Sequence, residues 1–194
     1  MLKRQKKSTR PAGPEMKGLQ LIMGGIFLCA ARLMVAGGLA TLMLFIASVM
    51  FGCGMWRWRR VDSKCLTGII PAVVLLLGGV TETWGYTAQV SQTVSLSVHG
   101  AATVIGTAAA IVLAMITFRV SAEICRNEGA KGTAEILAQR QWWITIGYAA
   151  CGGWVLIDLL TGWMPNIGVI MRIASILLDI FYLSALFQVR KVLE

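Results

Sequence analysis

The sequence predicts an all-α integral membrane protein of six transmembrane helices with both termini cytoplasmic. Three observations carry that expectation. Of the 194 residues, 57% are hydrophobic and only 14% charged; the mean hydropathy is +0.72, and a soluble domain of this size carries far more charge. Apolar runs long enough to approach the ~20 residues that cross a bilayer recur along the whole chain. The basic residues between them fall on one side, the positive-inside pattern.

Taken in order, residues 1–17 read MLKRQKKSTRPAGPEMK. This basic segment has two prolines and no apolar periodicity, so a disordered cytoplasmic tail is expected. The apolar stretch behind it is too long for a signal peptide, and the segment is kept in the mature chain; Met16 is a candidate native start. From 18 to 55 the chain is apolar except for Gln20 and Arg32. A hairpin of two short spans, 18–34 and 39–55, turns at Val35-Ala36-Gly37-Gly38, where paired glycines permit the turn.

Trp56-Arg57-Trp58-Arg59-Arg60 follows, an aromatic and basic cluster expected to anchor the chain at the membrane–water boundary. The third span, 66–81, has Pro71 in its first turns, where a missing N–H costs least, and Glu82, Trp84 and Tyr86 at its far end. The fourth, 94–118, carries Ala102, Gly106, Ala110 and Ala114 every fourth residue, a small-residue face that admits a close neighbour. A polar row, Ser95, His99, Thr103 and Thr107, runs beside it. Residues 119–141 form the one sizeable polar connector, broken at Gly129-Ala130-Lys131-Gly132. The fifth span, 142–161, and the sixth, 167–189, are joined by Gly162-Trp163-Met164-Pro165-Asn166, with Asn166 placed to cap the last helix.

Six spans put sixteen of the eighteen Lys and Arg on the side of the termini. The alternative of five, with 18–55 as one span, places the Arg57–Arg60 cluster opposite the later basic connectors and is disfavoured. The net charge of +9 therefore reads as topology and attraction to anionic headgroups, with no nucleic acid as a partner. A bacterial cytoplasmic membrane is the expected location.

Ionisable groups inside the spans are the candidate site, because charge at that depth is costly and faces a bundle interior or water. They are Arg32, Glu82, His99, Asp158, Arg172 and Asp179. Asp158 and Arg172 stand at similar depth across the last hairpin and are expected to pair as an interhelical clamp; Glu82 and Arg32 are a second such pair. Arg172, Ser175, Asp179 and Tyr182 share one face of the sixth span, with Asp179 near mid-bilayer. Six of seven tryptophans fall at expected interfaces; Trp154 alone lies inside, one turn before Asp158.

No Walker A, GxGxxG, HExxH or zinc spacing is present, and the five scattered cysteines form no CxxC. One histidine excludes bis-histidine haem within one chain. Ser95 and His99 lie on one helix, with no GxSx element to complete a serine nucleophile. The expectation is a non-enzyme without cofactor or metal. In size, span number, cytoplasmic termini and outward polar cluster, with small residues recurring through Ala30-Ala31-Arg32-Leu33-Met34-Val35-Ala36, the chain resembles in outline the small substrate-binding subunits of energy-coupling-factor vitamin transporters. That resemblance is architectural, and fold does not fix function. The expected function is a solute-binding or transport subunit acting with protein partners or as a homo-oligomer in the lipid bilayer. The alternatives are a non-catalytic accessory or assembly subunit of a membrane complex and a pore-forming or proton-conducting homo-oligomer.

Overall fold

Six helices account for nearly all of the described chain. The computed structural model describes residues 13–35, 38–87, 92–161 and 167–194, with side chains described except at 79, 81–87, 92–100, 103, 159 and 167–168. The helices are α1 (Pro14–Arg32), α2 (Gly38–Trp58), α3 (Ile69–Thr87), α4 (Gln92–Asn127), α5 (Lys131–Thr161) and α6 (Ile167–Leu193); a 3-10 segment, Ser63–Gly68, precedes α3. There is no strand among the described residues. Among the described residues three helices are long and apolar enough to cross a membrane: Gly38–Trp58, Val104–Asn127 and Val169–Leu193.

The basic N-terminal segment differs from expectation at its end. Residues 1–12 lie outside the described residues, but Pro14 to Lys17 form the first turn of α1 rather than a disordered tail. Pro14 supplies a φ suited to the first helical position, and Glu15 complements the positive end of the helix. The turn is also docked: the Trp58 indole Nε1–H donates to the Glu15 carbonyl at 2.9 Å. This revises the boundary cluster as well. Trp58 is fully buried, because the ring lies over Gly18, where a Cβ would stand 2.5 Å from it. Trp56 is the exposed member, with the Arg59 guanidinium 3.9 Å from its ring centroid.

The α1/α2 hairpin brings two backbones close together. A Cβ on Gly18 would lie 3.2 Å from the Gly54 carbonyl oxygen, and one on Gly54 3.1 Å from that of Gly18. Backbones come this close only where both partners lack side chains. The outer face of α2, with Leu39, Leu42, Phe45, Ile46 and Val49, is left exposed, as a lipid-facing stripe would be.

Asp62 opens the 3-10 segment by accepting from the Lys64 backbone N–H at 2.8 Å. Pro71 sits in the first turn of α3, as expected. The polar connector at 119–141 is carried almost wholly on helix: α4 has 36 residues and α5 has 31. At ~1.5 Å per residue α4 is about 54 Å long, well beyond the ~30 Å of a hydrocarbon core. The turn between them is only Glu128 to Ala130. Gly129 has φ +79°, Ala130 N–H donates to the Cys125 carbonyl at 2.8 Å, and Gly129 N–H to that of Arg126 at 3.0 Å. This is a Schellman stop, for which glycine is the favoured residue.

Each helix packs on the next, and α6 closes the ring on α1; α4 also touches α6. The core gathers at the end that carries the 59–62 and 128–130 turns. It joins Leu19, Ile22 and Ile26 of α1, Phe51, Met55 and Trp58 of α2, Phe118 of α4, Leu137 and Ile144 of α5, and Leu186 and Val189 of α6. The small-residue face of α4 is used in part. Ala114 is buried and the Ala102 carbonyl is 3.9 Å from a Cβ built on Gly78 of α3, but nothing approaches Gly106. The closer contact belongs to the polar row: Thr107 packs on Gly152 of α5, its Cγ2 2.6 Å from a Cβ built there.

Candidate functional site

The polar face of α6 turns inward along its length. Arg172 is exposed, Ser175 half-buried, and Asp179 and Tyr182 buried. Asp179 is twelve residues into the helix, so it stands about 18 Å from its start, near the middle. Its burial is a consequence of where α5 and α6 close: Leu178 fills the space over Gly147, and the residues next to each, Asp179 and Tyr148, meet. The Tyr148 hydroxyl donates to Asp179 Oδ1. Buried carboxyls are tolerated when hydrogen bonded in this way.

The other walls come from α1 and α4. The Tyr182 ring stacks on Phe118, centroids 4.9 Å apart and planes at 19°. Its hydroxyl lies beside Thr117 without the geometry of a hydrogen bond; the Thr117 hydroxyl donates instead to the Leu113 carbonyl at 2.8 Å. Cys29 and Arg32, in the last turns of α1, are close enough for the Asp179 charge to act on the thiol and the guanidinium charge to act on Asp179. Arg32 is half-buried and not within 4 Å of the carboxylate. Four helices thus meet at one polar node: a carboxyl held by a neutral phenol, a second phenol with an unpaired hydroxyl, and a cation at a distance.

The sequence-derived set divides accordingly. Arg32 and Asp179 are brought together. Asp158 and Arg172 are not: among the described residues the ion pairs are Arg119–Asp62 and Arg190–Glu194, and the expected clamp does not form. Arg172 faces out of the bundle, while α5 and α6 are joined lower down, through Tyr148 and through Arg140, which donates to Ser184 at 3.3 Å and lies over the Phe181 ring. Trp154 is 42% exposed. The Glu82 and His99 side chains lie outside the described residues, as does Asn166. Tyr148 is the residue that sequence reasoning missed. The available signal was scarcity: the chain has three tyrosines, and a phenol between two apolar stretches needs a partner for its hydroxyl.

Chemically the node can offer hydrogen bonds to a polar ligand through Asp179 and the Tyr182 hydroxyl. No group of three or more His, Cys, Asp or Glu suited to a metal ion occurs among the described residues. No family model matches the chain, and no curated protein or solved structure matches it either.

Proposed function

We propose that the protein is a solute-binding or transport subunit of six spans with both termini cytoplasmic, and that the Asp179 node is its polar contact with the solute. The observation that supports this reading is the partnering of Asp179. A packing clamp joins a buried carboxylate to a cation, since an uncompensated buried charge is strongly destabilising. Here the bonded partner is a neutral phenol, while Arg32 stands off and Tyr182 keeps a free hydroxyl. Unspent polar capacity at mid-helix, contributed by four helices, suits a ligand that completes it. Positive-inside counting supports the six-span topology.

The test is thermal stability of the detergent-solubilised protein against a broad panel of small metabolites. A ligand at about 100 times its Kd adds about 2.7 kcal/mol, a shift of roughly 5–11 °C for a chain of this length. A panel in which no solute raises Tm would leave the accessory-subunit reading in its place. That second reading draws on the outer face of α6. Arg172 is exposed there beside Val169, Ile170 and Ile173, and a cation on an apolar membrane face is accommodated by a partner helix or at the headgroup layer.

A further inference from the structure

We propose that a groove between α4 and α5 holds an anionic phospholipid. The groove encloses about 340 Å³ and is lined by Met115, Ile116, Arg119, Ala122, Arg126, Ala138 and Gln141. Its middle is lined by alanines, Ala122 on α4 and Ala138 on α5, where longer side chains would narrow the gap. Its lining changes character along its length. Met115 and Ile116 form an apolar end. Arg119 and Arg126, seven residues apart on one face of α4, line a basic end about 10 Å long, and Gln141 adds an amide donor from α5.

Position in the bundle supports the same occupant. Counting from the Gly129 turn, Met115 and Ile116 are level with Trp142 and Trp143, both exposed. Exposed tryptophans mark the membrane–water interface, so Met115 and Ile116 stand at that boundary and the groove runs from it toward the Gly129 turn, with Arg119 the first cation beyond it. The charge there is available. Arg126 has no acidic partner within 4 Å among the described residues, and Arg119 has only Asp62, at 3.9 Å. Glu123, four residues after Arg119 and three before Arg126 on the same side of α4, forms no ion pair with either and does not line the groove. A phosphodiester accepts from guanidinium forks in a bidentate manner, while its acyl chains continue over Met115 and Ile116. A free anion would use the basic end and leave the apolar end unexplained.

The experiment is native mass spectrometry of the detergent-purified protein titrated with phosphatidylglycerol, and with phosphatidylcholine for comparison. Phosphatidylglycerol is expected to bind selectively. Arg126→Gln and Arg119→Gln should each weaken it about five-fold, the factor equivalent to about 1 kcal/mol per basic residue at a membrane surface. Ala138→Phe, which fills the groove and keeps every charge, should abolish selective binding. Lys131→Gln, an equal loss of charge outside the groove, should leave it unchanged. The proposal is overturned if Ala138→Phe binds as wild type does, if Lys131→Gln weakens binding as much as the arginine variants, or if inorganic phosphate competes fully for the site.

Discussion

Replacing Tyr148 by Phe removes one hydroxyl from the bundle and tests how Asp179 is held. Asp179 is 6% exposed, and the hydroxyl is its bonded donor. A hydrogen bond to a charged group contributes about 1.5–3 kcal/mol, but interhelical polar contacts in membranes average nearer 0.6 and reach about 1.7. The expected loss is therefore about 1–2 kcal/mol, or roughly 2–8 °C in Tm for a chain of this length. Asp179→Leu leaves the phenol without its acceptor and should cost at least as much. Removing both partners leaves no polar group stranded, and such pairs of apolar replacements are close to neutral. The double variant Tyr148→Phe/Asp179→Leu should thus fall short of the sum of the single losses by about 1 kcal/mol. Melting in one detergent, followed by intrinsic fluorescence, measures all four proteins. A Tyr148→Phe variant within 1 °C of wild type, or strict additivity in the double variant, would refute the reasoning.

Three further outcomes follow from the packing and the topology. Gly18→Ala drives a methyl into the Trp58 ring and toward the Gly54 carbonyl, and should lower stability by about 1–3 kcal/mol; Gly52→Ala meets nothing within 4 Å and should be neutral or gain up to about 1 kcal/mol in helix propensity, both read as Tm. Cysteines placed at Arg60 and Glu128 should react with an impermeant maleimide from the cytoplasmic face only, and one at Gly38 from the opposite face only; labelling of Gly38→Cys and Glu128→Cys from the same face would contradict the six-span topology. Cys65 is fully buried, and burial, followed by the Asp62 charge, pushes its thiol from 9.0 up to about 11. The folded state therefore holds that proton more tightly than the unfolded chain. The stability this lends is present below pH 9 and is lost as pH rises through about 11, and at pH 8 alkylation followed by mass spectrometry should find Cys65 modified only after unfolding.

The helices were legible in the sequence where hydropathy alone decides them. Pro71 sits in the first turn of α3, where its missing N–H costs least, and α1 and α2 are successive helices that pack on each other. Legibility failed where tertiary contacts overrode composition. Residues 14–17 look like tail, yet Trp58 docks them. Residues 119–141 look like a connector, yet Val120, Ala122, Ile124, Ala134 and Leu137 bury a helical face through it, and only Gly129 interrupts the backbone. Trp58 reads as a boundary residue because a glycine forty positions earlier, which makes its pocket, is invisible to local pattern.

The candidate site divides along the same line. The stripe from Arg172 to Tyr182 is a matter of helical spacing, and its lower half does face the bundle. Pairing is a matter of rotation and depth between helices, which spacing does not contain. Asp158 and Arg172 are level in sequence but not in contact, and Tyr148 reaches Asp179 because Gly147 lets Leu178 seat one residue away.

The most direct test of the central claim compares wild type with Asp179→Asn across the metabolite panel. Asn keeps the shape and a neutral acceptor for Tyr148, so the variant should remain folded and comparable with wild type. If Asp179 contacts the solute, at least one solute should raise the Tm of wild type by several degrees and leave Asp179→Asn unmoved. Equal shifts in both proteins, or none in either, would contradict it.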